Sequence, residues 1–142
     1  MLLAAVINMP AMAGERAGMV KSSKGQVTIE RGKQQLIGVV GTPVEVSDKL
    51  RTGDDSAVGV TLNDATLLSA GPNSVLVIDK FSFDSKTQGG AMSIGIRKGT
   101  LSVASGKIAK QTPDSVDFHT PTSVLGVRGT EFVIEVAGGS DE

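Results

Sequence analysis

Residues 56–78 read "SAVGVTLNDATLLSAGPNSVLVI". In the first part Val58, Val60 and Leu62 alternate with Ala57, Gly59 and Thr61. A period of two puts the two sets on opposite sides of an extended chain, which predicts a half-buried strand. Asn63-Asp64 follows, a pair that tolerates left-handed backbone and suits a tight turn. The chain returns over Ala65–Ser69, turns at Gly71-Pro72-Asn73 and runs on from Ser74 to Ile78. Three short strands and two turns in so short a span point to an all-β fold held by pairing between strands.

The pattern extends both ways. Gln26–Glu30 alternates polar and apolar residues, and Leu36–Val40 and Thr42–Val46 are short apolar runs split by Gly41. Downstream, strands are expected at Met92–Arg97, Thr100–Ala104, Ser115–His119, Ser123–Val127 and Thr130–Val136. Phe81–Gly90, "FSFDSKTQGG", is the most polar link and reads as an exposed loop. No stretch keeps a 3.6-residue period between caps, so no long helix is expected. Turn clusters recur roughly every eight to ten residues, as in many short antiparallel strands of a solenoid-like or folded-over sheet, or of a β-sandwich. Val58, Val60, Leu62, Leu67, Val75, Val77, Ile94, Ile96, Leu101 and Val103 are expected to share one interior. The reading is one β domain over residues 18–137, preceded by residues 1–17 and followed by a tail at 138–142.

Composition narrows the function. The 142 residues suffice for one core. A net charge of −1 offers no cationic surplus, so nucleic acid is not an expected partner. Aromatic residues are 3% of the chain, all of them Phe, which leaves few platforms on which bases or sugars could stack. The absence of cysteine excludes disulfides, thiolate metal sites and a Cys nucleophile. The opening "MLLAAVINMPAMAG" has an apolar run at Leu2–Ile7, a break at Pro10 and the small-x-small form Ala11-Met12-Ala13. It reads as a signal-peptide remnant, and so as periplasmic export, although no Lys or Arg precedes the run. A flexible, partly buried tail is the other reading. The run is far shorter than the about 20 residues a bilayer span needs, so no stable membrane span is expected.

Candidate chemistry concentrates in residues 116–136, "VDFHTPTSVLGVRGTEFVIEV". His119 is the sole imidazole, and Asp117, two residues earlier, faces the same side of a strand. A Ser-His-Asp site would take Ser115 or Ser123 as nucleophile, yet no G-x-S-x-G elbow is present. The alternative has His119 lying along a strand before the Pro121 bend and bonding a neighbouring carbonyl. Asp48, Asp54 and Asp55 could crowd a Ca²⁺, but without EF-hand spacing they read as turn aspartates bonding their own backbone. "GIRKGT" lacks the spacing of a phosphate loop. No catalytic residue, metal site or cofactor is expected, and the chain does not read as an enzyme. At the Arg128-Gly129-Thr130 corner Gly129 permits positive φ. Beyond it Phe132, Ile134 and Val136 point one way, and Glu131, Val133 and Glu135 the other. Arg128 could clamp turn carbonyls or Glu131, or meet a partner's carboxylate.

Three pieces of the chain stand in a familiar order. They are "GTPVEVSDKLRTGDDSAVGVTLNDATLLSAGPNSVLVIDKF" (41–81), "IRKGTLSV" (96–103) and "FHTPTSVLGVRGTEF" (118–132). Together they resemble the FecR domain family of bacterial envelope proteins, over about residues 25–136. The most specific piece is the closing Thr120-Pro121…Val127-Arg128-Gly129-Thr130-x-Phe132. The turn Gly71-Pro72-Asn73-Ser74 is the other family element. One departure is Asn63-Asp64-Ala65, where the family often has Asp-Gly-Ser. FecR-type anti-sigma regulators also carry a cytosolic N-terminal segment, a membrane helix and a C-terminal signalling subdomain, none of which is read here, so sigma-factor control is not carried over. The resemblance implies an all-β periplasmic module without known catalysis, acting in protein interaction or sensing, with another envelope protein as partner. A cell-wall glycan-binding module is the alternative.

Overall fold

The structure is a computed structural model and describes residues 15–126 and 130–137. Among these residues twelve strands form one sheet. They are β1 (Arg16–Lys24), β2 (Val27–Arg31), β3 (Gln34–Ile37), β4 (Pro43–Glu45), β5 (Lys49–Thr52), β6 (Ala57–Leu62), β7 (Leu67–Ala70), β8 (Val75–Phe83), β9 (Gly90–Ala104), β10 (Val116–His119), β11 (Val124–Gly126) and β12 (Glu131–Val136). Among the described residues the helical content is two short pieces: α1 (Lys107–Gln111) and a 3-10 turn at Pro113–Ser115. The expected all-β class is therefore what the chain adopts.

The strands pair in the order β3-β2-β5-β8-β9-β7-β6-β1-β4, with β10 and β12 also on β9, and β11 on β10. The sheet curls into a half-barrel around one core. Its two halves meet at β9, a 15-residue strand where two separate strands were expected. The first part of β9 pairs with β8 and β10, and the last part with β7 and β12. Gly99 makes the change of direction possible, with φ of 91°. A Cβ there would stand 2.1 Å from Ser74 Oγ, so only glycine fits both the backbone and the space.

The ladder is antiparallel except between β9 and β10. A parallel pair needs a crossover, and α1 with the 3-10 turn supplies it. Ile108 is buried and ties α1 to the core. Asp64 fixes the start of α1: its carboxylate accepts the Ile108 N–H at 3.1 Å, and its carbonyl accepts the Lys107 N–H at 2.8 Å. The same carboxylate takes the Thr66 N–H and hydroxyl. Asn63-Asp64 forms the expected turn, but Asp64 is also a buried staple, and it is Ala65 that takes the left-handed backbone, with φ of 73°.

Nearly all of the expected interior is buried: Val58, Val60, Leu62, Val75, Val77, Ile94, Ile96, Leu101 and Val103. Each such side chain contributes about 1.5–3 kcal/mol by leaving water. Leu67 is the exception. It is 48% exposed, while Leu68 beside it is 1% exposed and faces the core. The register Thr61↔Leu67 and Val60↔Leu68 sets this, because Val60 is already inward. Phe81–Phe83 is not loop. It completes β8, with Phe81 buried opposite Met92, and the exposed link begins at Asp84. β1 was not expected, since Lys21, Ser22, Ser23 and Lys24 hide its pattern. It begins at Arg16 and lies so close to β6 that a Cβ on Gly18 would meet Thr61 O at 2.3 Å.

Candidate functional site

β10 and β11 form a hairpin whose corner is Thr120-Pro121-Thr122-Ser123. The Thr120 N–H donates to Ser123 O at 2.8 Å, and Thr120 Oγ1 accepts the N–H groups of Ser123 and Thr122. Pro121 occupies the second position of this β-turn, where its fixed φ suits the geometry. The Thr-Pro pair is thus a self-bonded corner.

Opposite the hairpin lies β12. Phe132 packs edge-on against Phe118 of β10, with ring centroids 5.2 Å apart at 83°. Thr130 O accepts the Ser105 N–H at 2.7 Å at the entry to β12. Two clefts of about 570 and 580 Å³ open between hairpin and strand, and both are bordered by Leu125, Val133 and Ile134. Thr120, Pro121 and Ser123 wall one, and Pro113, Asp114 and Val116 the other. The lining the two clefts share is apolar, with polar groups beside it, the usual make-up of a binding groove. Val127, Arg128 and Gly129, the middle of the closing motif, lie outside the described residues, as do residues 1–14 and 138–142.

The Gly71–Ser74 turn lies elsewhere, at the corner joining β7 to β8. Thr52 Oγ1 donates to Gly71 O at 2.6 Å and accepts the Ser74 N–H at 2.9 Å. Ser74 Oγ accepts the Thr100 N–H at 3.0 Å, and the Asn73 N–H donates to Gly53 O. Asn73 takes φ of 52°. These bonds tie the ends of β5, β7 and β8 to β9, and Thr52, Gly53 and Asn73 border a smaller cleft of about 270 Å³.

His119 pairs with Asp79, Nε2 to Oδ2 at 2.6 Å, and not with Asp117. Asp79 stands at the irregularity in β8 between Ile78 and Lys80, where the bulge turns its side chain towards β10. Asp117 faces the same way as His119, as expected, but accepts the Ser93 hydroxyl at 2.7 Å. His119 and Asp117, the expected base and carboxylate of a Ser-His-Asp relay, thus stand in two separate pairs, neither of which includes Ser115 or Ser123. Among the described residues no group of three or more His, Asp or Glu side chains gathers as a metal site.

One buried charge cluster was not read from the sequence. Arg31 forks onto Asp48, Nε to Oδ1 at 3.0 Å and Nη2 to Oδ2 at 2.8 Å. It also reaches Glu45 at 3.2 Å and donates to Pro43 O at 3.0 Å. Asp48 is wholly buried and accepts the Glu45 N–H as well. The expected aspartate-to-backbone bond is present, but Asp48 is chiefly an ion-pair partner. The Asp48 hydrogen bond holds the Arg31 guanidinium above its ordinary value, against the lowering by burial. This cluster joins the β2, β4 and β5 regions, so it reads as framework.

A family model described as FecR protein matches residues 48–142, well over half of the chain. β1 to β4 precede the match, yet β1 pairs with β6 and β2 with β5, so both parts build one core. No curated protein and no solved structure matches the chain.

Proposed function

Because the chain belongs to the FecR protein family, we propose that it is a signalling or regulatory domain of the bacterial cell envelope, working in the periplasm by binding another envelope protein and without catalysis. The observation that carries this reading is the pair of apolar clefts between the β10–β11 hairpin and β12, at the family's closing motif. Val124 and Val133 are exposed beside them, a costly arrangement for a surface that meets only water. The non-catalytic part of the reading is supported by the division of His119, Asp79, Asp117 and Ser93 into two pairs. No described helix is long and apolar enough to cross a membrane.

Capture from a solubilised envelope extract tests the reading. The 142-residue chain, carrying a photo-cross-linker at Val133, is expected to trap a defined envelope protein. Recovery of nothing above the level of a cross-linker at Lys33, on the far edge, would count against it. Retention on purified peptidoglycan alone would favour the glycan-binding alternative. An N-terminal sequence of the exported protein that still starts at Met1 would refute cleavage of the opening segment.

A further inference from the structure

The hydrogen-bonding phase of β12 can be read from two bonds. Ser105 N donates to Thr130 O, which makes Thr130 and Ser105 a bonded pair of the antiparallel ladder. Alternation then turns the backbone groups of Phe132, Ile134 and Val136 towards β9, and those of Glu131, Val133 and Glu135 away from it. On the other side of β9, the bond from Gly71 N to Thr100 O places Thr100, Ser102 and Ala104 on β7, which agrees. Among the described residues β12 pairs with no strand but β9. Its outer edge therefore offers the N–H and C=O groups of Glu131, Val133 and Glu135 as an open ladder.

The side chains of the same three residues are exposed, Val133 at 68%. Glu131 and Glu135 flank Val133 on one face. Around β12 the cleft walls add Asp114, and among the described residues they include no Lys or Arg. We infer that β12 is a docking edge for an extended peptide strand bearing a cation, an apolar residue and a cation at alternate positions, Lys/Arg-x-apolar-x-Lys/Arg. The inference rests on the protein-binding reading above and names the chemistry of the partner. The Glu-Val-Glu face is palindromic, so the pattern suits either strand direction. A second copy does not fit: β12 against itself, centred on Val133, sets Glu131 opposite Glu135 twice. Residues 1–14 do not fit either, because they hold no Lys or Arg. Edge charges also guard strands against chance pairing. A guard alone, however, gives no reason for an exposed valine between the charges or for apolar clefts on both flanks.

The test uses the whole chain and a short peptide centred on Lys-Thr-Val-Thr-Lys, with Glu-Thr-Val-Thr-Glu as its counterpart. In amide-resolved NMR the lysine peptide is expected to shift and protect the amides of Glu131, Val133 and Glu135, and to leave those of Ile134 and Val136 little changed. It should bind roughly tenfold more tightly than the glutamate peptide, since two cross-strand charge pairs reverse sign. The double variant Glu131→Lys/Glu135→Lys should reverse that preference. Val133→Pro removes an outward donor and spares the β9 ladder, so it should abolish protection at the edge. If Val133→Pro fails to fold, the charge-reversed chain carries the test alone. Equal binding of both peptides, binding of neither, protection elsewhere or self-association through β12 would each overturn the inference. If the double variant still captures the envelope partner, the edge is wrong and the protein-binding reading stands. If the parent chain captures none, the failure lies with that reading.

Discussion

Removing Arg31 strands a buried carboxylate. Asp48 is fully buried, and two of the three hydrogen bonds to its carboxylate come from the Arg31 fork. In Arg31→Met the carboxylate keeps one N–H donor and loses its counter-charge. Breaking a buried pair in this way costs about 3–5 kcal/mol. The Arg31 side chain is 27% exposed, so water can reach the vacated position, which places the loss near the lower end, about 3 kcal/mol. The raised guanidinium pKa belongs to a group charged at every ordinary pH. Its contribution is therefore complete at neutral pH and is lost only as pH climbs through the arginine range. The chain has no Trp or Tyr, so urea unfolding is followed by circular dichroism. With a slope of about 2 kcal/mol per molar, the midpoint should fall by about 1.5 M at unchanged slope. Arg31→Met/Asp48→Leu should recover much of the loss, because it removes the stranded charge. A single-variant loss under about 1 kcal/mol would refute the reasoning, since it would mean that Asp48 does not depend on Arg31.

The register of β7 makes a second prediction: Leu68→Ala should cost about 2–5 kcal/mol and Leu67→Ala under about 0.5, both read as urea midpoints. Equal losses would mean the β6–β7 pairing is displaced by one residue. A third compares two glycines of similar φ, Gly99 at 91° and Gly41 at 94°. Gly41→Ala meets no atom within 4 Å and should cost about 1 kcal/mol of backbone strain alone. Gly99→Ala adds the collision with Ser74 and should cost at least twice as much by the same assay, with parity counting against the packed corner.

How much of this was legible depended on whether a signal was local. The alternation of Val58, Val60 and Leu62 is a property of adjacent residues and survives intact as β6. Leu67-Leu68 offers an apolar residue to either face, and only the partner strand decides between them. Phe81-Ser82-Phe83 had its own alternation, masked by the polar run that follows. Arg31, on β2, and Asp48, in the link between β4 and β5, are 17 positions apart, so no short sequence window contains their pairing. At the candidate site the Pro121 corner was legible because turn chemistry is local. The open edge of β12 was not, because having a free edge is a statement about which strands are missing beside it.

β9 holds a further consequence for anyone who wishes to cut or extend this protein. Since its first half belongs to one wall of the half-barrel and its second half to the other, a chain break near Gly99 would leave two fragments, each lacking a lining for its own greasy side. Split reporters and circular permutants should instead open at the exposed Asp84–Gln88 link, where no ladder is severed.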